Sequence, residues 1–190
     1  MKGVIFVELL RMAEANAGEE LVDEVLDSLT LESGGAYSAI GSYSCGELFS
    51  LVGAFSERLD APAEDLQKMF GHWMFSYFVE NYGEFFTDKK SAFDMLASIE
   101  NEVHVEVRKL YPDAELPSFE TLQTSETEMS MTYKSARPLQ LFCHGLIEAC
   151  LSHYGTPGVI SVDDRSDGHP AHVVFLIGLV KILEITNSKS

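Results

Sequence analysis

Apolar positions at the start of the chain recur at helical spacing, with Ile5, Leu9, Met12 and Ala13 on one face. A second amphipathic helix is predicted over Glu19–Leu29, and Gly18 breaks it from the first. Ser33-Gly34-Gly35-Ala36-Tyr37 through Gly41-Ser42 reads as a loop, and a third helix runs from about Gly46 to Leu59. Pro62 suits a helix start, and Leu66, Phe70, Trp73 and Tyr77 mark the apolar face of a fourth helix ending near Asn81–Gly83. After a short Glu84–Thr87 stretch, the spacing predicts one long helix from about Asp88 to Leu110, stopped by Pro112. Its stripe is Phe93, Leu96, Ile99, Val103, Val107 and Leu110.

The period then changes. Met129, Met131 and Tyr133 alternate with polar residues, as in a half-buried strand. Pro138 opens a helix with an inner face of Leu139, Phe142, Leu146, Ala149 and Cys150, closed by Gly155. Val159–Val162 and Ala171–Ile182 read as two strands joined at a hairpin turn by Asp167-Gly168. Helices first, then strands around one inserted helix, give an α+β fold with a C-terminal antiparallel sheet. No repeat or linker divides the chain, so residues 1–190 are expected to form a single domain.

Composition narrows the function. The formal net charge of −17 excludes nucleic-acid binding, because phosphate recognition needs basic surface. It also disfavours an anionic membrane, and it suits docking on a basic protein partner. The longest apolar run, Val173–Val180, is too short to span a bilayer, and no basic segment precedes the first apolar stretch. Cys45, Cys143 and Cys150 are too few and too oddly numbered for a disulfide framework. A cytoplasmic location is expected. Aromatic residues make up 11% of the chain, with twelve Phe, enough to line a large apolar pocket.

Chemistry concentrates at two places. Tyr133, Ser135 and Arg137 form a Tyr-x-Ser-x-Arg run. In extended chain these alternate side chains share one face at steps of ~7 Å. A phenol, a hydroxyl and a guanidinium together suit a ligand carrying carboxylates, which Arg binds bidentately. Upstream, His104 lies at the edge of its helix stripe, one turn before Val107, where an imidazole can supply an axial metal bond. Elsewhere, Cys143 and Cys150 with His169 and His172 fit no standard zinc spacing, and both cysteines read as core. His72 reads as core edge and Trp73 as core. The pairs Glu19-Glu20 and Asp163-Asp164 read as solvated surface. Nucleophile–base pairs, phosphate loops and metalloenzyme motifs are missing from the sequence, so no enzyme is expected.

His104, Pro117 thirteen residues on, and then Tyr133, Ser135 and Arg137 form a combination that resembles the haem nitric oxide/oxygen binding (H-NOX) family, related to the haem domain of soluble guanylate cyclase. The resemblance runs from Met1-Lys2-Gly3-Val4-Ile5 through the Gly-Gly-Ala-Tyr segment to the helix after Arg137. It implies a stand-alone haem domain of the bacterial type, the haem lying between the helical part and the sheet. His104 would be the proximal iron ligand, and Tyr133, Ser135 and Arg137 would hold the propionates. Pro117 would press on the porphyrin, and Ile5, Phe78 and Leu146 would line the pocket. Without Cys-x-x-Cys-His the haem would be non-covalent, b-type.

Relatives that hold oxygen place a tyrosine on the helix after the propionate motif, supported by a Trp and an Asn. Counting from Arg137, those positions are Phe142, Leu9 and Met74, none of which donates a hydrogen bond from O–H or N–H. Tyr77 and His144 are the nearby donors that would have to swing in for oxygen to be held. The resemblance therefore implies binding of nitric oxide and CO with exclusion of O2. NO would weaken the iron–His104 bond and signal to a histidine kinase or a cyclic-di-GMP enzyme. The rival reading is a haem-less module on the same scaffold that binds a different apolar ligand.

Overall fold

The computed structural model describes residues 1–167 and 170–180. Gly168 of the expected hairpin turn, His169, and the expected strand end at 181–182 lie outside the described residues.

α1 (Gly3–Ala17) and α2 (Glu19–Ser28) are separated at Gly18, whose φ of 88° a side chain would resist. A Gly-rich loop then leads to α3 (Cys45–Leu59), capped by Ser44. A buried carboxylate holds that loop: Glu47 on α3 accepts from the Ser33 N–H at 3.0 Å, the Ser33 hydroxyl at 2.6 Å and the Tyr37 hydroxyl at 2.6 Å. Tyr37 in turn stacks on Phe6 of α1 at 4.7 Å between centroids. α4 (Ala63–Asn81) follows Pro62, and α5 (Glu84–Thr87) is a single turn.

The long helix expected over Asp88–Leu110 is three pieces: α6 (Ala92–Ser98), a π-helical turn over Ile99–Val103, and α7 (His104–Leu110). It starts late because the Ser91 hydroxyl caps the Asp94 N–H at 3.1 Å. In the π turn the His104 N–H bonds the Ile99 carbonyl, one residue further back than in an α-helix. The extra residue breaks the expected stripe. Phe93 and Leu96 are buried, Ile99, Val103 and Val107 half-buried, and Leu110 is 68% exposed.

A strand not foreseen from the sequence, β1 (Ser118–Gln123), pairs with β2 (Glu128–Ser135). α8 (Gln140–His153) follows, then β3 (Gly158–Asp164) and β4 (Ala171–Leu179). The sheet is antiparallel in the order β1-β2-β4-β3. Register places Met131 opposite Phe175 and Tyr133 opposite both Phe119 and Val173, on the face that meets α8. The buried residues of α8 include Cys143, Ile147, Cys150 and Leu151, whereas Leu139, Phe142 and Leu146 of the expected inner face are half-buried. Burial raises the Cys143 thiol well above its usual range and the Cys150 thiol to about 12, so both are inert core residues.

The core is split in two. One cluster joins α1 to α4 around Phe6, Leu51 and Met74, and the other joins α6, α8 and the sheet around Met131, Ile147 and Phe175. α4 and α8 cross between them at two glycines. A Cβ on Gly71 would lie 2.4 Å from the Phe142 carbonyl oxygen, and one on Gly145 would lie 2.1 Å from that of Lys68. Beside the crossing, Glu148 of α8 meets His72 at 2.9 Å and His144 at 3.2 Å. His72 is therefore an exposed partner of Glu148 rather than a core-edge residue. Trp73 is half-buried and donates from Nε1 to Glu8 at 3.0 Å.

Candidate functional site

His104 opens α7 directly after the π turn, which brings its side chain to the buried face at 8% exposure. Its ring lies 5.5 Å from that of Phe119 on β1. Nδ1 lies 3.1 Å from Glu100 Oε2, while Nε2 has no hydrogen-bond partner among the described residues. Glu100 is fixed in turn: Oε1 accepts from Arg108 Nη2 at 2.8 Å, and Oε2 also accepts from the Phe119 N–H at 3.1 Å. Burial works against charge on Glu100, but Arg108, the Phe119 N–H and His104 outweigh it and hold the carboxyl below its usual range. Burial also lowers His104, with Glu100 opposing, so at neutral pH the imidazole is uncharged. A neutral imidazole, one nitrogen steadied by a carboxylate and the other free, is the arrangement of a metal-ligating histidine.

The Tyr-x-Ser-x-Arg run lies at the end of β2. Tyr133 and Ser135 are within the strand, but Arg137 is beyond it, where Pro138 ends the ladder. A turn returns Arg137 to the other two. The Arg137 N–H donates to the Ser135 hydroxyl at 3.0 Å, and the Tyr133 hydroxyl donates to the Arg137 carbonyl at 2.9 Å. Burial raises the Tyr133 phenol to about 12, so it stays a donor. The Arg137 side chain is only 19% exposed, a low value for Arg. Two neutral hydroxyls beside a fixed cation suit a carboxylate, for which the Tyr133 proton would turn away from the Arg137 carbonyl.

The apolar positions divide between the two sides. Ile5, Phe78 and Phe142 border the N-terminal cluster, Phe119 and Val103 border the sheet cluster, and Leu146 packs against both. All six are only partly buried, whereas Leu9 and Met74 are sealed inside the N-terminal cluster at 2% and 0% exposure. Ile5 and Phe142 also border an apolar cavity of about 40 Å³, and Phe142 packs on Phe70 at 5.2 Å. Pro117 is half-buried in the loop before β1. An unpartnered imidazole nitrogen, a carboxylate-binding turn and part-covered apolar residues between two clusters fit a haem.

Two residues of this site escaped the sequence reading. Glu100 stands four before His104, a spacing that places side chains together on a helix and was the available signal. Glu115, which Arg137 contacts, sits in an irregular loop twenty-two residues away, and no local pattern marks it. Cys143, Cys150 and His172 join no metal-binding group among the described residues.

A family model described as haem-NO-binding matches residues 2–162. The unliganded Fe(II) H-NOX protein from K. algicida is 36% identical, with a TM-score of 0.89 over 96% of this chain and 98% of that one. The H-NOX from Shewanella woodyi, solved with IWP-051 bound in the Fe(II)CO state, is 34% identical over 94% of each chain, with a TM-score of 0.80. A variant H-NOX protein from S. oneidensis in the Fe(II) state is 27% identical, with a TM-score of 0.86 over 95% of this chain and 97% of that one. No curated protein matches the chain.

Proposed function

The chain belongs to the haem-NO-binding (H-NOX) family, and from that premise we propose that it is a haem-based gas sensor taking NO and CO and excluding O2. Residues 1–190 would act as one domain holding a non-covalent b-type haem. The observation that carries the reading is His104: buried, neutral, with Nδ1 held by Glu100 and Nε2 without a partner.

Haem, when bound, would supply a ferrous iron able to take a diatomic ligand. His104 Nε2 would hold the iron, and the Tyr133 hydroxyl, the Ser135 hydroxyl and the Arg137 guanidinium would hold the propionates. Pro117, Ile5, Phe78 and Leu146 would contact the macrocycle. Phe142, Leu9 and Met74 leave the ligand side without a donor from O–H or N–H, which favours ligands that need none over oxygen. Two nearby donors are engaged elsewhere, which supports this choice. His144 is buried against Phe175 and meets Glu148, and Trp73 donates to Glu8. Tyr77 packs edge-on with Tyr82.

Signalling would use the short α7. Its anchored residue is His104 itself, so release of that ring frees the helix and the loop after it to shift, a two-state element that a ligand can bias. The output would leave through a protein contact, to a histidine kinase or a cyclic-di-GMP enzyme, for which the net charge of −17 suits a basic docking face. No helix among the described residues is long and apolar enough to cross a membrane, and a cytoplasmic, non-enzymatic sensor is the reading proposed.

Spectroscopy of the purified protein tests this. The reduced protein is expected to be coloured, to keep its unliganded spectrum in air, and to shift with NO to that of a five-coordinate iron. A stable oxygen complex would overturn the selectivity. Colourless protein that takes up no added haemin would overturn haem sensing and favour a haem-less binding module.

A further inference from the structure

Arg137 has more than its motif neighbours as partners. Glu115, in the loop between α7 and β1, engages both terminal amines of the guanidinium: Nη1 donates to the Glu115 carbonyl at 2.7 Å, and Nη2 donates to its carboxylate. Two atoms of one residue thus fix the plane of a side chain that would otherwise rotate about four torsions. Nε has no partner among the described residues, so it stays available as a donor on the edge it shares with Nη2. That edge is one of the two on which a guanidinium binds a carboxylate bidentately. Glu115 is 80% exposed, so an isolated ion pair here would contribute little, but the backbone carbonyl adds a second, less mobile contact. The loop is also tied at its other end, where Lys2 Nζ meets Asp113 at 3.0 Å and lies 5.0 Å over the Tyr111 ring. Glu115 is therefore held between two anchors, two residues before Pro117.

We propose that Glu115 is a positioning residue for the propionate site, orienting the Arg137 guanidinium so that its Nε–Nη2 edge faces the carboxylate. The proposal rests on the haem reading above. It makes Glu115 an aid to binding rather than a rival for the same cation, because it takes Nη1 and one bond of Nη2 and leaves Nε free.

The test is the rate of haem transfer from holoprotein to excess apomyoglobin, for wild type, Glu115→Ala, Glu115→Gln, Arg137→Ala and the double variant Glu115→Ala/Arg137→Ala. Glu115→Ala is expected to lose haem roughly two- to fivefold faster, in the range of a partly exposed ion pair. Glu115→Gln, which keeps an acceptor oxygen, is expected to recover part of the loss. In the Arg137→Ala background, removing Glu115 is expected to change nothing further, since the residue acts only through the guanidinium. The propionate bending modes in resonance Raman are expected to shift in Glu115→Ala. Wild-type retention by Glu115→Ala, slower loss, or an equal effect with and without Arg137 would each overturn the proposal. If Arg137→Ala itself retains haem like wild type, the propionate reading fails, and that outcome is distinct from failure of Glu115 alone.

Discussion

Replacing Glu100 by alanine removes the acceptor that steadies His104. The carboxylate takes three bonds at 2.8–3.1 Å, from His104 Nδ1, the Phe119 N–H and Arg108. With Glu100 gone, the imidazole N–H and the Phe119 N–H lose their acceptor in a half-buried site. A hydrogen bond to a charged group is worth about 1.5–3 kcal/mol, and loss of an outer-sphere partner of a metal-ligating histidine costs roughly 10–100-fold in metal affinity. Those two scales agree, since tenfold is about 1.4 kcal/mol. The anionic acceptor also makes the imidazole a stronger base. In Glu100→Ala the iron–histidine stretch of the reduced protein is therefore expected at lower wavenumber, and haem is expected to leave about tenfold faster or more. Glu100→Gln, a neutral acceptor, is expected to fall between. Resonance Raman and haem transfer measure both quantities. An unchanged stretch in Glu100→Ala would refute the reasoning, because Glu100 would then hold only Arg108 and β1.

Gly71→Ala places a methyl 2.4 Å from the Phe142 carbonyl oxygen, forcing α4 and α8 apart; about 1–3 kcal/mol of overpacking is expected, read as a melting temperature lower by several degrees. Phe142→Tyr would put a hydroxyl on the proposed ligand side with Leu9 and Met74 offering it no partner; a measurable oxygen affinity is expected where the wild type is expected to show none, and its absence would mean position 142 does not face the ligand. Burial opposes charge on Glu47, but the bonds from Ser33 and Tyr37 hold its carboxyl below the usual range. A depressed folded pKa stabilises above the unfolded value of about 4.3 and is lost as pH falls through the folded one. The stability gap between wild type and Glu47→Gln in urea is thus expected at pH 7 and to close in acid.

The parts of the fold legible in the sequence were those with a clean period. Spacing located α2, α3 and α4 to within one or two residues, and it marked α1, β2 and the start of β4 by their apolar positions. β1 escaped because it is an edge strand with burial only at Phe119 and Thr121, too short an alternation to separate from loop. The π turn escaped because its hydrogen bond carries no residue signature, and the helix around it keeps an apolar spacing that predicts the wrong face for Leu110. At the site, His104, Tyr133, Ser135 and Arg137 were legible as residue types in a recurring order. Their supports were not. Glu100 shared a helix with His104 and could have been found by spacing, whereas Glu115 meets Arg137 only because a loop closes back on the end of β2.

The divided core bears on how such a site can switch. Each apolar cluster is continuous within itself, and close packing makes each move as a body rather than deform. They meet through α4, which gives Phe70 and Met74 to one cluster and Phe75 to the other, and through Leu146 of α8, which touches both. The residues proposed to meet a haem divide along the same line: His104, beside Phe119, and Tyr133 belong to the sheet side, and Ile5, Phe78 and Phe142 to the helical side. A group seated between them would therefore set the angle at which the two bodies meet, and the Gly71–Gly145 crossing, where the backbones of α4 and α8 touch, would be its pivot. No side chain there has to be carried past another. On this argument the strength of the His104 tether and the bulk at position 71 act on one coordinate, so Glu100→Ala and Gly71→Ala should be non-additive in ligand response although their residues share no contact.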